Sequence, residues 1–363
     1  MTTTGAFAVG IAVDGGHPAG WRYAEQPPER QLSAERLTAL VKTAERAGFS
    51  YVIFDDSPLP PGTAPNVTGR LDAVQLAVFA GPLTSRIGLV AQTEVVFSEP
   101  FHVATQLASL DHATLGRAGW WVAASGSAEL AAGYGRPAVI APASLRREAS
   151  DVIEVSRRLW DSWEDDAVIR DRVSGRYLDG DRLHHVDFNG ATFSVRGPLI
   201  TPRPPQGQPV VFAPWAGADP IGVDVTVIEA TSELEAATTA DRARTLGTAR
   251  VVAEVEVLLD LPDRTAAQRL VELDRHADWP ARGLRHVGDP AGLVALLRRL
   301  SGAVDGVVLR PAVIDLDLAV LERAVLPALR EHGKAVPPPA GGTLRQVFGL
   351  PRPANRYAAA AGR

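Results

Sequence analysis

Eight short β-rich runs recur along this chain, most of them separated from the next by a helical pattern, and this alternation limits the possible folds more than any other feature. The runs cover residues 7–13, 51–54, 87–96, 118–124, 210–213, 223–229, 251–259 and 304–309. Helical periodicity falls at 33–47, 71–83, 103–110, 145–163, 233–246, 266–278, 292–300 and 316–331. The first helix has Ser33 placed as N-cap and Gly48 just past its end, the residue types that satisfy unpaired amides at one end and tolerate a left-handed backbone at the other. Parallel strands need crossovers, and eight of them over roughly 330 residues predict a closed (β/α)₈ barrel, an α/β TIM barrel, rather than an open sheet.

Residues 164–208 break the rhythm with Gly175, Gly180, Gly190 and Gly197, then Pro202, Pro204 and Pro205. They read as an insertion after the fourth βα unit, with a hairpin within 183–195. One barrel domain is expected over 1–336, and the Pro/Gly/Ala-rich residues 337–363 read as a C-terminal surface tail.

Composition narrows the function. The 363 residues contain no cysteine, which excludes disulfides, thiolate metal sites and a cysteine nucleophile. A net charge of −5 gives no reason to expect nucleic acid or an anionic membrane as partner. No apolar run approaches the ~18 residues of a membrane span, and residues 1–10 lack the pattern of a signal peptide, so a cytoplasmic protein is expected. No P-loop, no GxGxxG after a strand and no Ser-His-Asp signature is present. His102 and His112 read as packed or capping residues. The pair His184-His185 belongs to the insertion, and no metal site is expected.

Several segments resemble one family. They are Gly16-His17-Pro18-Ala19-Gly20-Trp21-Arg22, then AERAGFSYVIFDD, residues 85–121, the long block 159–212 beginning LWDSWEDD, and VDGVVLRP and GGTLRQVFGLPRPANR near the end. Together they are similar to the luciferase-like flavin monooxygenases, in the branch of the nitrilotriacetate, pristinamycin and dibenzothiophene-sulfone enzymes. The resemblance implies a barrel that holds reduced FMN at the C-terminal ends of its strands. It further implies O₂ as co-substrate, a separate flavin reductase as partner, a small, possibly secondary-metabolite, organic substrate, and a homodimer or a heterodimer with a related subunit.

Carried over by position, the resemblance makes His17 the candidate catalytic residue for substrate contact or proton transfer. Asp56 takes the acidic position at the end of the second strand, and Gln92 and Thr93 a polar pair near the ring edge. Then the sequence departs. Trp121 stands where relatives have a flavin-binding Asn, and Ala124 where they have Thr, with Ser125 and Ser127 as the remaining hydroxyls. Leu145-Arg146 replaces Arg-Tyr, which makes Arg146 a substitute phosphate ligand. Only about eight residues follow the fifth strand, too few for a crossover helix. The phosphate thus loses a helix N-terminus, and Trp121 or Trp215 is placed to fill space that a flavin would use. The leading expectation is a reduced-FMN monooxygenase with a rebuilt phosphate site. The alternatives are a flavin-free barrel, either a silent partner subunit or an enzyme with other chemistry in the same mouth.

Overall fold

The computed structural model describes residues 7–23, 27–57, 69–139, 141–217 and 221–358. The eight expected strands are present: β1 (Ala8–Ala12), β2 (Tyr51–Phe54), β3 (Gly88–Glu94), β4 (Ala118–Ala123), β5 (Val210–Pro214), β6 (Val225–Ile228), β7 (Arg250–Leu259) and β8 (Gly306–Pro311). They pair in parallel in chain order, and β8 closes on β1. Helices α1 (Ala34–Ala47), α2 (Ala73–Ala80), α3 (Pro100–Ala113), α4 (Ala128–Gly133), α5 (Pro142–Asp161), α6 (Glu233–Thr245), α7 (Ala266–Asp274) and α8 (Pro290–Leu300) surround the barrel, followed by helical turns from Ile314 to Glu331. Ser33 accepts the Arg36 amide at the start of α1, and Gly48 (φ 88°) ends it. A further strand, Leu284–Gly288, pairs with the outer half of β7; the alternation of apolar runs did not signal it.

Inside the barrel, alternation points every second side chain to the axis. The Tyr51 ring lies across β1 at Gly10, where any Cβ would sit 2.2 Å from it. Tyr51, Phe212 and Phe348 form a mutually packed aromatic cluster with centroids 5.4–5.5 Å apart. Phe348 belongs to the segment expected on the surface. Instead, Leu344 and Phe348 are buried in the barrel interior with Val210, Val225 and Val90. The Leu344 amide donates to Gly116 O and Arg250 Nε to Phe348 O. The C-terminal segment therefore plugs the N-terminal end of the barrel, a correction to the surface-tail expectation. Apolar residues at i and i+4 in an otherwise loose segment were its only signal.

The insertion contains two hairpins, Val168–Asp171 with Arg176–Leu178 and Val186–Asn189 with Ser194–Gly197; the second starts three residues into the expected span and ends two residues past it. Buried ions fasten the insertion. Arg203 grips Asp161 through Nε and Nη2 and Asp165 through Nη1. Asp111, fully buried, accepts the Gln206 amide, the Gln206 side chain and the Ala118 amide.

If the C-terminal segment is a plug, Leu344→Ala removes packing from a site with no room to collapse. It should cost about 3 kcal/mol in urea unfolding, within the usual range for buried Leu→Ala. A surface tail would show a change near zero.

Candidate functional site

At the C-terminal end of the barrel the axis becomes polar. Glu254 and Glu256 on β7, Arg310 on β8, Asp55 after β2 and Gln92 on β3 occupy inward positions above the aromatic core. Arg310 is the centre of this ring. Its Nη1 donates to Asp55 Oδ2 at 2.6 Å and its Nε to Glu254 Oε1 at 2.5 Å. β1 lies between β8 and β2, and the guanidinium passes over it because β1 offers only Ala8, Gly10 and Ala12 to the interior. Burial opposes the Arg310 charge, yet Asp55 and Glu254 outweigh it and raise its pKa. The guanidinium carbon also lies 5.7 Å from the Trp121 ring, and Trp121 stacks on Phe212 at 7° between planes.

Beside this ring a cavity of about 600 Å³ opens over β1, β2 and the start of α1. Asp14, Asp55, Asp56 and Glu256 form its acidic side, and Leu32, Leu37, Leu40, Leu71 and Leu76 an apolar wall. Arg36 at the cavity is held by both oxygens of Asp315. Arg70 and Arg282 also line it, both exposed. Neither forms a hydrogen bond or ion pair among the described residues. Among those residues no group of His, Asp and Glu is arranged to hold a metal ion.

The expected site residues do not all meet here. His17 lines the cavity, but its side chain has 0% exposure. Its Nδ1 accepts the Ala19 amide at 3.0 Å and its Nε2 bonds Asp274 at 3.1 Å. Burial lowers its pKa, against the pull of Asp274. With both nitrogens engaged, it has none to offer a substrate. Asp56 lines the cavity and accepts the Ser57 and Ala73 amides; burial raises its pKa. Gln92 donates to Asp56 O at 2.5 Å, linking β3 to the loop after β2. Thr93, its sequence neighbour, points the other way. Its Oγ1 accepts Trp120 Nε1 at 2.7 Å, and Trp120 packs on Trp160 of α5 outside the barrel. Alternation along a strand cannot place both Gln92 and Thr93 at the mouth, so the Thr93 expectation is corrected. Trp121 faces the axis as expected. Trp215 instead packs against the outer apolar layer.

The groups expected to hold an FMN phosphate do not fit one. No helix occurs among the described residues between β5 and β6. Arg146 is exposed on α5 and does not line the cavity. Ser127 Oγ caps α4. The Ser125 amide donates to both oxygens of Glu94, which also takes the Val96 amide. A carboxylate of the chain itself thus sits on the amides that an incoming anion would need.

Two features of the mouth escaped the reading of the sequence. Arg310 and the pair Glu254/Glu256 are the centre of the site, and their signal was available. Charged residues at i and i+2 in an otherwise apolar strand, as in VVAEVEVLLD, must share its inner face near the open end.

Comparison with known proteins agrees with this architecture. The profile of the luciferase-like monooxygenases matches residues 12–279. The N-acetyl-S-(2-succino)cysteine monooxygenase of Bacillus subtilis is 36% identical over 214 residues, 59% of this chain and 48% of that protein. Nitrilotriacetate monooxygenase component A of Aminobacter aminovorans is 35% identical over 212 residues, 55% and 47% of the two chains. This chain therefore spans about half the length of these relatives. In fold, a long-chain alkane monooxygenase superposes with a TM-score of 0.83 at 19% identity, covering 99% of both chains. A second structure, from Hyphomicrobium sulfonivorans, gives 0.80 at 20% identity over 98% of this chain and 95% of its own. With three quarters of its length matched by the family profile and the barrel closed as in these structures, the chain belongs to the luciferase-like monooxygenase family.

Proposed function

We propose that this protein is a monooxygenase that binds a small organic anion in the cavity at the barrel mouth. Reduced flavin and O₂ are its co-reactants, and a separate reductase supplies the flavin. The observation that carries the substrate class is the pair of exposed arginines, Arg70 and Arg282, at a cavity with an apolar leucine wall. The intervening segment 58–68 carries no acidic residue that could pair with Arg70. Such a cavity suits a molecule with an apolar body and a carboxylate end. Two relatives bear the names of multiply charged acids, N-acetyl-S-(2-succino)cysteine and nitrilotriacetate, which supports the same class.

In this reading His17 organises the first loop rather than moving a proton. Asp56 and Gln92 hold the loop after β2 in place against the cavity. Both subunits of the pristinamycin IIA synthase of Streptomyces pristinaespiralis are relatives, so a homodimer or a pairing with a related subunit is part of the proposal. Among the described residues no helix is long and apolar enough to cross a membrane, and a cytoplasmic location is proposed.

The anion reading is tested by calorimetric titration with N-acetyl-S-(2-succino)cysteine and nitrilotriacetate. At least one should bind, weaken with salt, and lose about tenfold or more in affinity in Arg70→Ala or Arg282→Ala, since a charge-assisted bond contributes roughly 1.5–3 kcal/mol. Equal binding of uncharged dibenzothiophene sulfone, unaffected by either substitution, refutes it.

The flavin expectation is different in kind. With no phosphate grip at the expected places, oxidised FMN and riboflavin should bind with the same affinity, and Arg146→Ala should change neither. Glu94→Ala frees the Ser125 and Val96 amides and should favour FMN over riboflavin. A wild-type preference for FMN of about tenfold, worth ~1.4 kcal/mol, would show that a phosphate site exists elsewhere.

A further inference from the structure

Two carboxyl groups stand side by side on the cavity wall, and the flavin expectation uses neither. β1 and β2 are adjacent and parallel, with Ala12 opposite Ile53. Two residues further on, alternation brings Asp14 and Asp55 to neighbouring inward positions, separated by about one strand spacing of ~5 Å. Both line the cavity. Asp14 Oδ2 accepts the Asp55 amide at 2.9 Å. Asp55 gives Oδ2 to Arg310, while its Oδ1 is buried and receives no hydrogen bond among the described residues.

The charges do not balance if every acid is ionised. Asp14, Asp55 and Glu254 face one another around the single guanidinium of Arg310. Arg70 also acts on Asp14, but from an exposed position. Neighbouring carboxylates in a partly desolvated site retain a proton between them. Asp55 and Glu254 each hold a direct bond to Arg310. Asp14 has no cationic side chain bonded to it and faces the cavity. The other carboxyl and imidazole groups at the cavity are already committed: Asp56 to the Ser57 and Ala73 amides, Glu256 to Arg285, and His17 to Asp274.

We propose that Asp14 is the catalytic acid–base of this cavity, sharing its proton with Asp55 and exchanging it with the bound ligand. In the forward step the Asp14 O–H bond breaks as a basic atom of the ligand takes the proton. The Asp14 carboxylate remains beside Asp55 and is reprotonated from water through the open cavity. Asp14 is exposed toward the cavity, yet desolvation by the surrounding wall, then the Asp55 charge, push it up to about 6, within the range where a carboxyl group both gives and accepts a proton near neutrality. The inference rests on the cavity being the ligand site.

The decisive measurement is a carbon-13 NMR titration of aspartate-labelled protein. Asp14 and the structural Asp111 should both titrate near pH 6. One of the two should vanish in Asp14→Asn, which keeps the acceptor for the Asp55 amide. The same one, alone, should move to lower pH in Asp55→Asn. Retention of both signals in Asp14→Asn, or no shift in Asp55→Asn, overturns the pair. The folded state holds this proton more tightly than the unfolded chain, whose aspartate titrates at 3.8. Its stabilisation is complete below that value and lost as pH rises through about 6, so Asp14→Asn should gain stability over wild type above pH 6 and lose that advantage toward pH 4. Calorimetry with N-acetyl-S-(2-succino)cysteine in two buffers of different ionisation heat reads the exchange itself. Near pH 6, wild type should exchange a proton on binding and Asp14→Asn should not; equal exchange in both overturns the catalytic role. Absence of binding in both refutes the organic-anion reading instead, and the carboxyl titration still decides the pair.

Discussion

The mouth of this barrel is organised by one buried cation. Arg310 has five donors and no means of losing its charge near neutrality, so everything around it must supply oxygen or an aromatic face. Glu254 and Asp55 supply the oxygens from strands on either side, and Trp121 supplies the face. Removing one partner from such a buried set leaves an uncompensated charge, which typically costs about 3–5 kcal/mol. The small residues of β1 are therefore part of the electrostatics: a larger side chain at Ala12 would stand in the path of the guanidinium to Asp55. The same bond ties Asp55, and not its neighbour Asp14, to the guanidinium. Ligand chemistry at the cavity wall thus depends on an ion pair formed across the barrel.

A second consequence concerns anions. Amides at strand ends are natural anion sites, and here the chain occupies its own. Glu94 is buried, and burial pushes its pKa up against the amides of Ser125 and Val96. Trp121 fills the inner face of β4 where a smaller residue would leave room. Glu94, Trp121 and the lack of a helix among the described residues between β5 and β6 act in the same direction, closing the side of the mouth near β4 and β5. The open volume lies on the other side, over β1 and β2, where Arg70 and Arg282 line the cavity.

Much of this was legible in the sequence. The eight strands follow from apolar runs of the right length, and the absent fifth crossover from simple counting between residues 213 and 223. Gln92 and Trp121 both face the axis, a placement that period two along an inner strand face makes readable. Thr93 was misplaced by ignoring that same period for adjacent residues. Trp215 required knowing which face continues beyond the end of β5. The C-terminal plug was hidden because proline and glycine suggest a surface segment, while the two side chains that matter, Leu344 and Phe348, have no periodic context. The Asp14–Asp55 pair was half visible. Asp55 ends a recognised strand, but Asp14 lies in a loop, and only the register between β1 and β2 brings the two together.

A barrel that loses a crossover helix still has to close, and closure here uses parts from elsewhere. Asp224, at the start of β6, accepts the Val211 amide of β5 and salt-bridges Arg157 of α5. Arg157 reaches further, donating to Gly222 O and to the Gln208 side chain. Arg345, from the C-terminal plug, bonds Asp224 from the other side. Gly222 takes a left-handed turn (φ 72°) against Ile153 of α5, where a Cβ would come within 2.7 Å, so α5 covers part of the strip that the absent helix would have covered. The short β5–β6 connection is therefore clamped by the helix before the insertion and by the segment at the end of the chain. Helix α5 and the C-terminal segment each contribute a cation, Arg157 and Arg345, to the one carboxylate that holds β5 against β6.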